Sequence, residues 1–316
     1  MKPRITGIHH ITAIAGSPQR NIDFYTGILG LRLVKKTINF DAPGVYHFYF
    51  GDELGAPGTV FTTFPFEGAK KGVKGTGEMT YTAFSIPKNA LPFWVARLEN
   101  YKIPISSILK RFDETYIRFE DHDGMGIELV ATDDDNRLGW SYGNISLENS
   151  IKGFFGATLN LKAKEATERL MTQFMDYHFI QSEGNRFRYG TQGKPGDIVD
   201  IVVDEKGKPG VQSAGTVHHI AFRTANEASQ LEVQKILMEN GYHVTEVKDR
   251  NYFKSIYFRE PGGVLFEIAT DEPGFAIDED VDHLGELIKL PDWAEPNREK
   301  LVARLAKVKL NIEDYG

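Results

Sequence analysis

Two His-His pairs constrain this chain more than any other feature. Ile8-His9-His10-Ile11-Thr12-Ala13 opens it, and Val217-His218-His219-Ile220-Ala221-Phe222 writes the same words again near the other end. Each pair heads a run with the composition of a β-strand, whose successive side chains face opposite ways. One imidazole of each pair can therefore enter a cavity while its neighbour points elsewhere or lines the rim. The later run is followed by Pro261-Gly262-Gly263-Val264-Leu265-Phe266-Glu267-Ile268-Ala269, a turn and an apolar strand interrupted by one carboxylate. Two imidazoles and a carboxylate form a three-ligand face with open positions, the arrangement associated with non-haem Fe(II). The expected metal ligands are His10, His219 and Glu267, with Fe(II) as the metal and Mn(II) as the alternative.

The strand that carries the first pair belongs to a unit. After it come a helix start at Ser17-Pro18, helical spacing through Leu29, and strands at Leu31–Val34, Val45–Phe50 and Gly58–Phe64. The βαβββ order recurs from Met79, from Phe155 and from Val217, at intervals of roughly seventy residues, which is the mark of a repeat architecture. The expected fold is α+β: four βαβββ repeats paired into two domains with curled, mostly antiparallel sheets. The chain divides into 1–135, 150–272 and a tail, 273–316, with an acidic loop and an amphipathic helix from about Pro296 to Lys307. Only the first and fourth units carry the His pairs, so a shared site requires those two to be neighbours in space.

Position by position, His10 and His219 correspond to about Tyr81 and Ala157 in the middle units, and Glu267 corresponds to Thr63 in the first. Glu128 reads as an edge carboxylate or an ion-pair member. His47, His122, His178, His243 and His283 lack a repeated context and read as surface or loop residues.

Composition excludes several classes. The chain has no cysteine, so disulfides and thiolate ligands are ruled out and a metal must sit on nitrogen and oxygen. A formal charge of −7, with no long basic patch, argues against nucleic-acid and anionic-membrane partners. No run approaches the roughly eighteen apolar residues of a membrane span, and the first strand starts without an apolar leader, so the expected location is cytoplasmic.

The repeats with Leu29-Gly30-Leu31, the His-His openings and the Pro261–Glu267 stretch resemble the vicinal oxygen chelate superfamily. Tyr46-His47-Phe48-Tyr49-Phe50, Gly55-Ala56-Pro57-Gly58-Thr59-Val60, Glu183-Gly184-Asn185-Arg186 and Asp249-Arg250-Asn251-Tyr252-Phe253 more closely resemble the hydroquinone ring-cleaving dioxygenases. The likeness covers nearly the whole chain, including Gly274-Phe275 and Asp278-Glu279-Asp280 of the tail. It implies Fe(II) on His10, His219 and Glu267, a small aromatic substrate and O2 as partners, and catalytic roles for His9, Thr12, His218, Arg250 and Tyr257. In those roles an imidazole takes a ring-hydroxyl proton, Arg250 stabilises negative oxygen and Tyr257 donates a hydrogen bond. Phe222, Tyr252 or Phe266 are candidates to stack on the ring. A catechol extradiol dioxygenase, a glyoxalase-type isomerase and a quinone- or antibiotic-binding protein stay open as alternatives, as does a homo-oligomer.

Overall fold

The computed structural model describes residues 4–310. Unit one consists of β1 (Ile8–Ala15), α1 (Pro18–Ile22) continued by a π-helical turn over Asp23–Ile28, β2 (Arg32–Asn39), β3 (Ala42–Gly51) and β4 (Val60–Pro65). Unit two consists of β5 (Glu78–Ile86), α2 (Leu91–Asn100), β6 (Leu109–Arg111), β7 (Glu114–Glu120) and β8 (Gly126–Ala131). Unit three has β9 (Gly153–Leu161), α3 (Glu165–Phe174), β10 (His178–Glu183), β11 (Arg186–Gly190) and β12 (Ile198–Val203). Unit four has β13 (Thr216–Thr224), α4 (Glu227–Glu239), β14 (Lys248–Asp249), β15 (Phe253–Arg259) and β16 (Leu265–Pro273).

These strands form two curled eight-stranded sheets, ordered β14-β15-β16-β13-β1-β4-β3-β2 and β10-β11-β12-β9-β5-β8-β7-β6. Units four and one make the first sheet, and units three and two make the second. Each half of the chain thus gives one unit to each sheet. The β1–β4 and β13–β16 pairs are parallel and the other five pairs of the first sheet antiparallel. The antiparallel β1–β13 seam sets the two His-His pairs side by side, with Thr12 opposite His219 and His10 opposite Ala221.

Alternation sorts each strand. On β3, Tyr46, Phe48 and Phe50 enter the main apolar core, which residues of both sheets share. Phe61 of β4 meets Phe84 of β5 at 6.2 Å between ring centroids, and Phe84 stacks on Phe154 of β9 at 5.4 Å, joining one sheet to the other. Burying each such ring contributes roughly 1.5–3 kcal/mol.

The tail is less helical than its pattern predicts. A single turn of 3₁₀-helix over Glu295–Asn297 leads into α5 (Arg298–Val302), and the chain then turns to bury Leu305. Five residues are too few for a self-supporting helix, so tertiary contacts decide the path. Those contacts lie along β2, an edge strand, and on α1: Lys289 N–H donates to the Lys36 carbonyl of β2 at 2.9 Å, and Lys309 exchanges hydrogen bonds with Gln19 of α1. Covering an open edge removes a template for unwanted pairing. Lys35, fully buried, anchors the strap on the carboxylates of Asp278 and Glu279. Lys35→Met leaves Glu279 buried without its cation and is expected to cost about 3 kcal/mol, at the low end for a broken buried pair because Asp278 can return to water. Limited proteolysis checks this: new cleavage between 278 and 310 is expected, and an unchanged pattern contradicts the anchor.

Candidate active site

The first sheet curls around a cavity of ≈ 260 Å³, and its floor is where β1, β13 and β16 meet. His10 from β1, His219 from β13 and Glu267 from β16 converge there, all buried. His10 Nε2 lies 3.3 Å from His219 Nε2 and 3.4 Å from Glu267 Oε2, and His219 Nε2 lies 2.9 Å from the same oxygen. One ion at ligand distances of about 2.1 Å can touch all three.

Hydrogen bonding behind His10 shows that this face is built to accept a cation. His9 Nε2 is 3.0 Å from the Thr270 carbonyl, which can only accept, so that nitrogen carries the proton. Burial holds the His9 imidazole well below its usual pKa, so it is neutral and its Nδ1 is bare. His10 Nδ1, 3.0 Å away, must then donate, which leaves His10 Nε2 as a lone pair facing the triad. Glu267 Oε1 accepts from Ser255 Oγ, while Oε2, buried among the imidazoles, has no hydrogen-bond donor among the described residues. A buried anionic oxygen beside a bare imidazole nitrogen is costly unless a cation joins them. His219 has the matching arrangement, its Nδ1 lying 2.7 Å from His218 Nδ1.

The remaining expected residues fall in three places. His218, Arg250 and Tyr257 line the cavity with the triad. Burial pushes the His218 pKa down to about 3, so it is neutral at ordinary pH. If His219 donates through Nδ1 to leave Nε2 free for an ion, His218 receives that proton's hydrogen bond and presents Nε2–H to the cavity. Arg250 Nε donates to Tyr257 Oη at 3.2 Å, leaving the phenol proton for another acceptor, and Arg250 Nη2 reaches Asp41 at 3.2 Å. Burial raises the Tyr257 pKa, and nearby Glu267 adds to the effect, so the phenol keeps its proton. His9 is not a cavity-lining residue; it packs behind His10 and against Phe253. Thr12 is fully buried and bonds Thr62 Oγ1 at 2.8 Å.

Three sequence expectations change here. His47 is a cavity residue, on the strand face opposite Tyr46 and Phe48, whereas His178, His243 and His283 are exposed. His122 sits half-buried in the turn between Asp121 and Asp123. The counterpart of Glu267 in unit one is Thr62: Glu267 pairs with Ala221, two beyond His219, and Thr62 pairs with Thr12, two beyond His10. Thr63 faces away and donates to Asn21 Oδ1 at 2.6 Å. The aromatic lining comprises Phe40, Phe64 and Phe253 with Tyr49 and Tyr257, not Phe222 and Phe266, which are core, nor Tyr252, which packs on Phe275 of the tail.

The second sheet carries no such triad among the described residues. Glu128 of β8 is ion-paired with Arg111 and Arg118, and Asp200 of β12, which pairs with Thr158 as Glu267 pairs with Ala221, is ion-paired with Arg186 and Arg188. Arginine fills the place that the first sheet leaves for an ion.

Two curled sheets built from βαβββ units, with a His, His, Glu face in the cleft of one, define a metal-site fold of the glyoxalase kind. The chain belongs to the Glyoxalase/Bleomycin resistance protein/Dioxygenase superfamily, whose sequence pattern matches residues 7–129 and 148–268. It is 46% identical over 301 residues to MhqO of Bacillus subtilis (strain 168), a protein assigned provisionally as a ring-cleaving dioxygenase, covering 95% of this chain and 96% of that one. It is 36% identical over 307 residues to the chlorohydroquinone/hydroquinone 1,2-dioxygenase of Sphingobium indicum, covering 95% of each. A crystal structure from Bacillus subtilis subsp. subtilis str. 168, described provisionally as a dioxygenase, superimposes with a TM-score of 0.94 at 44% identity over 98% of this chain and 99% of that one. No helix among the described residues is long and apolar enough to cross a membrane.

Proposed function

We propose that this protein is a ring-cleaving dioxygenase acting on hydroquinone-type aromatics with O2, and that His10, His219 and Glu267 hold its Fe(II). The observation that carries the reading is the acceptor-only triad at the floor of an aromatic-lined cavity. The likeness to the Sphingobium enzyme supports the substrate class. Mn(II) accepts the same nitrogen and oxygen donors. An apolar cavity of about 150 Å³ already binds benzene, so ≈ 260 Å³ accommodates one substituted ring.

The chain's own residues prepare the chemistry. Phe40, Phe64 and Phe253 exclude water from the ring and so strengthen every charge interaction inside. A ring hydroxyl has an ordinary pKa of about 10, and Arg250 lowers the cost of its ionisation without giving up its own proton. Tyr257 O–H and, in the arrangement described above, His218 Nε2–H are donors placed for oxygen that gains negative charge. The metal, when bound, supplies open coordination positions and a redox-capable centre for joining the ring to oxygen. Cleavage between a hydroxylated carbon and its neighbour yields a ring-opened acid.

Tyr257→Phe removes one preorganised donor and is expected to lower kcat by about 10²-fold, with metal content unchanged; loss of metal in that variant would place Tyr257 among the groups that hold it. The function is tested by oxygen uptake of the protein loaded anaerobically with Fe(II) or Mn(II). Uptake with hydroquinone and methylhydroquinone and little with catechol is expected. The reverse order moves the protein to the catechol enzymes, and no uptake with bound metal removes the dioxygenase reading.

A further inference from the structure

The Tyr46–Phe50 run places His47 and Tyr49 on the cavity face of β3, five strands from the β15 wall that carries Tyr257 and two from β1. Two strand spacings amount to roughly 10 Å along the sheet, so these side chains belong to the wall across from Tyr257. They end a hydrogen-bonded chain. Thr12 Oγ1 lies 2.8 Å from Thr62 Oγ1, Thr62 Oγ1 lies 2.9 Å from His47 Nε2, and His47 Nδ1 lies 2.8 Å from Tyr49 Oη.

Counting protons gives the chain a direction. With His47 neutral, as its burial favours, four groups bring four donor hydrogens to three contacts, so one hydrogen is left over. On Thr12 or Thr62 it would be a fully buried O–H with no further acceptor among the described residues, which is costly. The favoured order is therefore Thr12 donating to Thr62, Thr62 to His47 Nε2, and His47 Nδ1–H to the Tyr49 oxygen. The spare hydrogen is then the Tyr49 O–H, on a residue that lines the cavity.

We propose that Tyr49 donates this hydrogen bond to the ring oxygen that the metal does not hold, with His47 as the positioning residue, so that the pair selects rings oxygenated at opposite carbons. The second oxygen of a 1,4-substituted ring extends away from the triad toward the β3 wall, and that of a 1,2-substituted ring stays beside the first. The inference rests on the hydroquinone reading above and adds the groups that read the substrate.

The test is anaerobic calorimetric titration of the metal-loaded protein with hydroquinone and with phenol, where no turnover occurs. Wild type is expected to bind hydroquinone about 3- to 10-fold tighter than phenol, the worth of one neutral hydrogen bond. Tyr49→Phe is expected to close that gap while keeping phenol affinity and metal content, and His47→Leu to narrow it. A general packing defect would weaken both ligands alike, and that result, like an unchanged gap, overturns the proposal. Wild type that binds neither ring overturns it together with the substrate reading. Wild type that cleaves hydroquinone while Tyr49→Phe keeps the gap overturns this inference alone.

Discussion

Glu267→Gln is expected to abolish turnover and to release the metal. Loss of an outer hydrogen-bond partner of a metal ligand typically costs about 10–100-fold in affinity. Glu267 is a ligand in its own right and the only anion of the triad, so the loss should exceed that range. Ser255→Ala, which removes the hydroxyl that orients Oε1, falls within it and serves as the internal comparison. The metal-free proteins should show the opposite trend in stability. Without an ion, the buried Oε2 has no donor among the described residues, and a neutral amide in its place removes an uncompensated charge from the interior. Apo Glu267→Gln is therefore expected to unfold at a denaturant concentration equal to or higher than that of the apo wild type, while holding less metal. A variant that is both less stable as apoprotein and fully metal-loaded contradicts this assignment.

The second large effect is expected in the other sheet. Arg188 and Asp200 are both buried, and Arg188 also pairs with Glu114. Arg188→Met leaves Asp200 to Arg186 and Glu114 to Arg111, each short of one cation, and is expected to cost about 4 kcal/mol, within the range for breaking a buried ion pair, with the metal affinity of the first sheet unchanged. Its pH dependence has a definite sign. Burial would raise the Asp200 pKa, but hydrogen bonds from Arg188 and the charges of Arg188, Arg111 and Arg186 bring it below the ordinary value. A depressed carboxylate contributes stability that is present above its unfolded pKa, about 4, and is lost as pH falls through its folded value. The difference between wild type and Arg188→Met, measured by urea unfolding, should thus be full at neutral pH and shrink below about pH 4. A constant difference down to pH 2 would show that Asp200 is not the partner that matters.

Much of this site is written in the sequence because strands have period two. The His-His pairs, and one carboxylate in an otherwise apolar strand, are local signals that need no neighbours to be read. The same rule held information that went unread. Phe266 adjoins Glu267, and Phe222 lies three beyond His219, so alternation already puts both on the face away from the ligands. Tyr46, Phe48 and Phe50 alternate with His47 and Tyr49, which marks the latter two for the opposite face. The shift from Thr63 to Thr62 has a specific cause: β4 starts three residues after Pro57, whereas β16 starts four after Pro261. Aligning the turns by their prolines therefore misses by one, and a one-residue slip reverses the face.

Other features were not local. The union of unit one with unit four is a contact between the chain's ends, inferable only from the demand that two His pairs share a metal. β10 is an edge strand with five of its six residues exposed, so no burial pattern announces it. The path of the tail depends on Lys35, whose partners lie more than two hundred residues away in sequence.

The central claim, ring opening with O2 at the His10, His219 and Glu267 face, is tested most directly by supplying ¹⁸O2 to the Fe(II)-loaded protein with hydroquinone and weighing the product. Two labelled oxygens in a ring-opened acid from wild type, and no such product from Glu267→Gln, is the expected result. An unlabelled product, an intact ring, or labelled product from both proteins would contradict it.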